Sequence, residues 1–426
     1  MRNLLFNSLI VFSAIIIGSC SEEQMDPPAS SFTFLVKSDF LLEDQLGMLY
    51  ITDENGKVVE AKPFKNDETL VFEDLKDFSP DHTYTMNYAQ YSDNHRTLSL
   101  RTFGNVKPGS YGLSELSSYA TLKASEKPII GNHQLNIQLT TPYTPQGGVI
   151  SEEGTITAEI RSNPYGLEAG LYQSPADIMY FVVDRLYGGN TTPRWVRFEN
   201  AVAGEEVTMS YDDLTPMSYH QLDFPGAIMS YYTLFYVPEP DGYDKLLYMY
   251  QQDNPSVPEK LKLYYPDMDV PEFFTSMGYQ TDFAYHVNVV LGAQPPSEFH
   301  ILDAYFSKYK QTNKEISYST SGDMTYLRLD GGATPENPNS TSGYTQTNWY
   351  IHSEGGSDRV IAIPEFPEEL LNHFPYLATH NFDFKETTLV LVSGAADYDD
   401  WFEKRMEGDA MYKFFKELRY KSQFAN

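Results

Sequence analysis

The chain of 426 residues is poor in cysteine, in tryptophan and in positive charge. Its one cysteine, Cys20, excludes an internal disulfide and a set of cysteine ligands for a metal. Its 30 Lys and Arg residues stand against 59 Asp and Glu, which gives a formal net charge of −29. Because nucleic-acid binding depends on Lys and Arg that neutralise phosphates, nucleic acid is excluded as an expected partner.

Sequence signatures of catalysis are missing as well. The chain has no G-x-S-x-G elbow, no H-E-x-x-H zinc helix, no G-x-x-x-x-G-K-[ST] phosphate loop and no G-x-G-x-x-G turn. No two histidines have the three- or four-residue spacing that places both on one helical face. The nine are His82, His95, His133, His220, His286, His300, His352, His373 and His380. We therefore predict a non-enzymatic protein without a cofactor, and a hydrolase that uses paired carboxylates is the less favoured alternative.

The amino terminus has the pattern of an export signal. Arg2 precedes an apolar run from Leu4 to Ile17, which is shorter than the roughly 20 apolar residues that span a bilayer. The run ends in Ile17-Gly18-Ser19-Cys20. This ending resembles the lipobox of bacterial lipoproteins, in which the cysteine accepts a diacylglyceryl thioether. The resemblance implies that residues 1–19 are removed and that Cys20 is lipidated.

Residues 20–30 would then form an acylated tether, and several acyl chains hold a protein firmly on a membrane. The acidic residues Glu22, Glu23 and Asp26 lie within six residues after Cys20. Such a stretch resembles the signal that sends lipoproteins of the Bacteroidota type to the outer face of the outer membrane. The resemblance implies a lipid anchor in the outer membrane and display at the cell surface. An anchor that faces the periplasm is the alternative, since the whole chain is acidic.

The remaining sequence predicts a mainly β protein. It has 33 Tyr and 26 Phe, residue types that suit pleated, half-buried surfaces. Between two apolar runs, Asn55-Gly56 predicts a hairpin with a type I′ turn. Residues 31–120 resemble the transthyretin-like and carboxypeptidase-regulatory β-sandwiches of exported bacterial proteins, in which a strand, a D-x-x-G-type turn (Asp53 to Gly56) and a second strand precede an apolar run. The resemblance implies tandem β-sandwich modules of immunoglobulin-like or transthyretin-like type.

A second β-rich domain is predicted over 121–297. Residues 178–184 are similar to the first strand of the early hairpin, and residues 207–214 are similar to residues 69–75. An internal duplication would explain both similarities. Alternating strands that resemble each other by chance are the other explanation.

The third predicted region, 298–426, is α+β and ends in an amphipathic helix. Residues 337–343 predict a loop, and residues 387–392 predict a buried strand. Asp399 or Asp400 would cap the helix. An apolar stripe at helical spacing consists of Met411, Phe414, Phe415 and Leu418, and the basic residues Lys413, Lys416, Arg419 and Lys421 gather towards the helix end.

Three groups of residues are candidate binding sites. Two carboxylate clusters could supply oxygen ligands to calcium, although neither has EF-hand spacing. They are Asp267, Asp269 and Glu272, and Asp397, Asp399 and Asp400. Trp349-Tyr350, beside a loop rich in Ser, Thr and Gly, could stack on sugar rings.

Taken together, these features predict a non-catalytic, lipid-anchored protein of the cell envelope with a role in binding, adhesion or assembly. Its partners would be the membrane, through acyl chains on Cys20, and a protein or glycan ligand. Two alternatives stay open beside the hydrolase. One is a carbohydrate-binding lipoprotein of a polysaccharide-uptake system, and the other is a fimbrial subunit or its anchor.

Overall fold

The computed structural model confirms the mainly β class and the β-sandwich modules. It describes residues 31–424 except 39, 74, 76–81, 115–128, 139–145, 152–153, 156–164, 184–191, 224–228, 238–246, 255–259, 269–271, 282–283 and 408–415. The predicted signal segment, Cys20 and the tether lie outside the described residues. Within that described part, no helix combines the length and the apolar character needed to cross a membrane.

The first module is a sandwich of two sheets. Its strands are β1 (Phe32–Val36), β2 (Gln45–Thr52), β3 (Val58–Phe64), β4 (Thr69–Phe72), β5 (Tyr84–Ser92), β6 (Thr97–Val106) and β7 (Gly109–Leu113). The first strand pairs with the fourth in antiparallel and with the seventh in parallel orientation. The other sheet has the order β3-β2-β5-β6. Alternate apolar residues of both sheets fill the space between them, as in other aligned sandwiches.

The second module repeats this pattern strand for strand. Its strands are β8 (Gly131–Gln138), β9 (Gln146–Ser151), β10 (Gly154–Thr155), β11 (Tyr165–Leu171), β12 (Ala176–Val183), β13 (Arg194–Ala201) and β14 (Glu206–Ser210). The first strand, β8, again pairs antiparallel with the fourth and parallel with the seventh. The second sheet has the order β10-β9-β12-β13, and the short β15 (Thr215–Pro216) extends it beyond β13.

The third and fourth modules contain the first six strands of the same pattern. The third consists of β16 (Ser218–Asp223), β17 (Met229–Val237), β18 (Leu247–Asn254), β19 (Lys260–Tyr265), β20 (Glu272–Gln280) and β21 (Tyr285–Gly292). The fourth consists of β23 (Glu315–Gly322), β24 (Tyr326–Ala333), β25 (Gln346–Ser353), β26 (Arg359–Ala362), β27 (Phe384–Val392) and β28 (Glu417–Phe424). In each, the first strand pairs with the fourth, and the order of the other sheet is third, second, fifth, sixth.

One strand pairs with a module other than the one that precedes it in the chain. Strand β22 (Ala304–Gln311) follows β21 in the chain, at the position of a seventh strand for the third module. It pairs instead with β23, the first strand of the fourth module. The fourth module also carries the two α-helices of the described residues, α1 (Glu368–His373) and α2 (Tyr398–Met406). The sheet of three strands in the fourth module is therefore completed by a strand that precedes it.

Three modules share one sheet of twelve strands. Its order is β18-β17-β20-β21-β28-β27-β24-β25-β6-β5-β2-β3. The third and fourth modules meet through the antiparallel pair β21 and β28, and the fourth and first meet through the parallel pair β25 and β6. The shared sheet is buried on both faces where β2 runs: Leu49 and Ile51 belong to the core of the first module, while Met48 and Tyr50 belong to the core of the fourth. We call the side of Met48 and Tyr50 the front face and the opposite side the back face.

The modules do not align with each other in the way that the sequence similarities indicated. Residues 178–183 lie in the fifth strand of their module, whereas the matched residues 48–52 lie in the second strand of theirs. Residues 207–210 lie in a seventh strand and residues 69–72 in a fourth. The segments matched by sequence were thus wrong as equivalents, because alternating strands resemble each other wherever they lie in a sandwich. The equivalence becomes visible in the pairing of the strands.

The predicted hairpin between β2 and β3 is confirmed, but its turn is of another kind. Gly56 has a positive φ of 80°, and Asn55 is not among the residues with positive φ. A type I′ turn needs two such residues, so that expectation was wrong. The loop is longer and is closed by Asp53, whose Oδ1 accepts from the backbone N–H groups of Asn55 and Lys57.

The predicted carboxyl-terminal helix is confirmed at its start, in α2, but the expectation that the chain ends in this helix was wrong. Helix α2 ends at Met406, and Leu418, Arg419 and Lys421 lie in strand β28. This segment forms a strand because it lies between β21 and β27, and each of its two edges is paired with one of them. Met411, Phe414 and Phe415 lie outside the described residues. The cap of α2 is Asp397 and not Asp399 or Asp400, which lie inside the first turn; the Asp397 side chain accepts from the backbone N–H of Asp400. Strand β27 and the loop at 337–343 are confirmed.

Candidate functional site

A polar cleft lies beside helix α2 and contains part of one predicted calcium cluster. Its volume is about 370 Å³, and its lining includes Glu354, Gly355, Gly356, Asp397 and Asp399. The cleft is formed where the strands β23 and β24 turn and where α2 begins. Carboxylates on its rim make it acidic.

These carboxylates are already engaged in local contacts. Asp397 caps α2, Asp399 pairs with Lys107 at 3.0 Å, and Asp400 pairs with Lys404 at 2.8 Å. The contacts with Lys404 and with the N–H of Ala396 lower the pKa of Asp400. Among the described residues, no three His, Cys, Asp or Glu side chains are arranged to hold a metal ion.

The other predicted calcium cluster is not assembled within the described structure. Glu272 pairs with Lys416 at 2.7 Å. Asp269 lies outside the described residues, and Asp267 follows the end of β19.

The predicted glycan contact at Trp349 was wrong. Its side chain is 1% exposed and packs on the front face against Phe366, Phe382 and Phe384. The ring therefore has no free face for a sugar. The alternation of the strand explains this, because Trp349 points to the core while its neighbour Tyr350 points to the back face.

Trp349 instead starts a chain of buried hydrogen bonds through four neighbouring strands. Its Nε1 donates to Thr102 Oγ1 at 3.0 Å, and Thr102 Oγ1 donates to Asn87 Oδ1 at 2.8 Å. Asn87 Nδ2 donates to Thr52 Oγ1 at 3.2 Å. The chain passes from β25 through β6 and β5 to β2, so it crosses the junction of the fourth and first modules.

On the back face of the same junction, charged and aromatic side chains form a row. Asp330, Tyr350, Arg101 and Tyr88 are direct cross-strand neighbours on β24, β25, β6 and β5. The Tyr350 ring lies between two guanidinium groups, with its centroid 5.9 Å from Arg101 Cζ and 5.5 Å from Arg328 Cζ. Cation–π attraction of this kind stabilises the stacked arrangement.

The arginines in this row differ in their ion pairs. Arg328 binds Asp330 through two hydrogen bonds of 2.7 Å. No ion pair of Arg101 occurs among the described residues, and its Nε is buried without a hydrogen-bond partner. Asp330 is thus the one carboxylate among the described residues that pairs with either arginine, and it pairs with Arg328.

A third arginine reaches the row from helix α2. Arg405 is 8% exposed and lies over the rings of Phe103 and Trp401, at 5.5 and 5.7 Å. Burial and the charge of Arg101 lower the pKa of Arg405, while the hydroxyl of Tyr88 acts in the opposite direction. We call Arg101, Arg328 and Arg405 the arginine cluster.

His352 lies between Arg328 and Phe103 as a cross-strand neighbour of both, and it is neutral. It stacks on Phe103 with ring centroids 4.7 Å apart, and it is 7% exposed. Burial, followed by the charges of Arg405, Arg328 and Arg101, lowers the pKa of His352 well below its usual value. Sequence reasoning did not find the cluster, although arginine inside apolar strands such as Leu327-Arg328-Leu329 was the available signal.

Two other histidines come together from distant parts of the chain. His95 Nε2 lies 2.9 Å from His373 Nδ1, and the two rings stack. Burial and the neighbouring His373 lower the pKa of His95. The pair joins the turn between β5 and β6 to the end of α1, and it is thus a contact between the first and fourth modules.

At the junction of the third and fourth modules, the carboxylate of Glu417 is held by several hydrogen bonds. Glu417 on β28 accepts from Asn288 on β21 at 2.9 Å and from His300 at 2.7 Å. It also pairs with Arg419 at 2.8 Å. Burial alone would raise the pKa of Glu417, but these hydrogen bonds outweigh it and hold that pKa at about 2.

We predict that this junction weakens in acid. A carboxyl group whose pKa is about 2 in the folded chain and 4.5 in the unfolded chain stabilises the fold above pH 4.5. The contribution is lost as the pH falls from 4.5 towards 2. In Glu417→Gln, thermal unfolding should show a lower midpoint at neutral pH and a smaller decrease between pH 5 and pH 3. Glu298→Gln, at an exposed position near His300, is the matched control. Equal pH profiles for the wild type and Glu417→Gln would contradict the prediction.

Comparison with known proteins does not assign the chain to a family. No protein-family model matches the sequence, and no curated protein matches it.

Proposed function

We propose that the chain is a non-catalytic, lipid-anchored protein of the cell envelope that presents a rigid set of β-sandwich modules for binding, adhesion or assembly. One observation carries the proposal. Three of the four modules share a continuous sheet of twelve strands, and β-pairing and buried hydrogen bonds join them. A rigid set of modules on a short lipidated tether suits a presenting role, and the acidic composition keeps such a protein soluble outside the cell.

Exposure on intact cells tests the proposed location. Proteinase added to intact cells should digest the protein, while a periplasmic marker protein stays intact. Digestion only after the outer membrane is permeabilised would overturn surface display and favour the periplasmic alternative. Turnover of a cell-wall or glycan substrate that a single Asp or Glu substitution abolishes would overturn the non-catalytic role.

A fimbrial subunit or anchor is the second candidate, and one observation favours it. Strand β16 has a single neighbour among the described strands, whereas its equivalents β1, β8 and β23 each have two. An unpaired strand edge can accept a strand from another chain. Defined polymers of the purified chain in size-exclusion chromatography would support this candidate, and a strict monomer at high concentration would count against it.

A further inference from the structure

The charge balance of the arginine cluster is unusual for this chain. Three guanidinium groups meet on the back face of the module junction, and among the described residues Asp330 is the one carboxylate that pairs with any of them. The chain as a whole has a formal charge of −29. A concentration of positive charge in so acidic a protein needs a specific cause.

Burial makes the excess charge costly. Arg405 is 8% exposed, and the described groups that favour its charged form are the phenol groups of Tyr88 and Tyr326, neither of which is a carboxylate. A buried charge without a counter-charge is strongly unfavourable, and such groups are normally paired. Arg101 lies close enough to Arg405 to disfavour its charge further. Among the described residues, Asp330 neutralises Arg328, and no carboxylate pairs with Arg101 or Arg405.

Arg101 and Arg328 have N–H donors that could bind an anion. Arg101 Nε has no hydrogen-bond partner, and the side chain of Arg328 is 36% exposed. Guanidinium groups present several N–H donors in a fixed plane, which matches carboxylate, sulfate and phosphate oxygens. The rings of Tyr350 and Phe103 hold these groups in place from the side.

We propose that Arg101, Arg328 and Arg405 form a binding site for an oxyanion group, which a ligand supplies as a carboxylate, sulfate or phosphate. The overall negative charge of the chain repels long polyanions, so the ligand is a small anion or an acidic sugar. The site is made by β6, β24 and α2 and does not depend on the lipid anchor. The inference therefore goes beyond the proposed function and can fail independently of it.

Anion binding to the unlipidated full chain, Cys20→Ser, tests the site. Inorganic sulfate, inorganic phosphate and glucuronate are titrated separately at constant ionic strength, and the midpoint of thermal unfolding and the heat of binding are measured. At least one of the three anions should raise the midpoint saturably. Which one does so separates an inorganic oxyanion from an acidic sugar. A midpoint that does not respond saturably to any of the three would overturn the proposal.

Substitution locates the effect. Arg101→Gln should weaken the binding at least tenfold. It should change the midpoint without anion little, because the repulsion from Arg405 that it removes offsets the cation–π contact with Tyr350 that it loses, and it leaves no carboxylate unpaired. Arg359→Gln, on an exposed arginine paired with Glu354, is the matched control and should bind as the parent does. If Arg101→Gln fails to fold, Arg101→Lys keeps the charge and should still lose affinity, since it removes the planar donors. Equal affinity in the parent and the Arg101 variants would refute the site.

Discussion

Trp349→Ala should destabilise the fold by about 3–5 kcal/mol, as the removal of a large buried aromatic side chain commonly does. The ring fills the core of the fourth module against Phe366, Phe382 and Phe384. Its loss would also leave the buried hydroxyl of Thr102 without its donor at the junction with the first module. Equilibrium unfolding in urea measures the effect as a lower midpoint at an unchanged slope.

Trp349→Phe separates packing from hydrogen bonding. It keeps most of the ring volume and loses the bond from Nε1, so we expect it to cost about 1–2 kcal/mol. Tyr350→Ala is a useful comparison, because Tyr350 is partly exposed on the opposite face and should cost less. A Trp349→Ala protein with unchanged stability and lost glycan binding would restore the sugar-stacking hypothesis, which the burial of this ring argues against.

Local structure in this chain could be predicted where short patterns decide it. The hairpin around Gly56, the strand at 387–392 and the loop at 337–343 each follow from turn residues or from a run of apolar ones. The kind of turn at Asn55 could not be predicted, because hydrogen bonds to the side chain of Asp53 close the loop and the Asn-Gly dipeptide alone does not indicate them. Strand existence was thus more predictable than strand geometry.

The shared sheet could not be predicted, because its key contacts join distant residues. Strand β6 pairs with β25, some 250 residues later in the chain, and neither strand carries a local sign of its partner. The sequence of β2 does carry one local signal of its position. Met48-Leu49-Tyr50-Ile51 lacks the polar alternation of a strand with one wet face, and such a run indicates burial on both faces. That burial is what places β2 inside the assembly of modules.

The carboxyl-terminal segment shows how tertiary position overrides local periodicity. Lys421 would have been expected in solvent near a helix end, yet it is 7% exposed. Its Nζ donates to the backbone oxygen of Ala304 and lies 4.3 Å from the centroid of the Tyr305 ring. Contacts from β22 thus accommodate a buried ammonium in a strand. A pattern of apolar residues at helical spacing has no information about such partners, which come from another part of the chain.

Cys20→Ser should release nearly all of the protein from the membrane. The prediction rests on the lipobox-like sequence before Cys20, which implies a thioether at its sulfur and cleavage directly before it. A single acyl chain gives only marginal membrane binding, while two or more give stable anchoring, so loss of the acceptor should abolish retention. Removal of residues 1–19 takes away Arg2 and no acid, which leaves a net charge of −30 and gives the released chain no electrostatic hold on anionic lipids.

Fractionation of cells that express each form measures the release. The wild-type protein should be found in the membrane fraction after a high-salt wash, and the variant in a soluble fraction. Ser21→Ala, one residue beyond the acceptor, is the matched control and should stay membrane-bound. Mass spectrometry of the native amino terminus should give the mass of an acylated Cys20. An unmodified thiol there, or a mature start downstream of it, would contradict the anchor, and the modules would then reach their partners as a free protein.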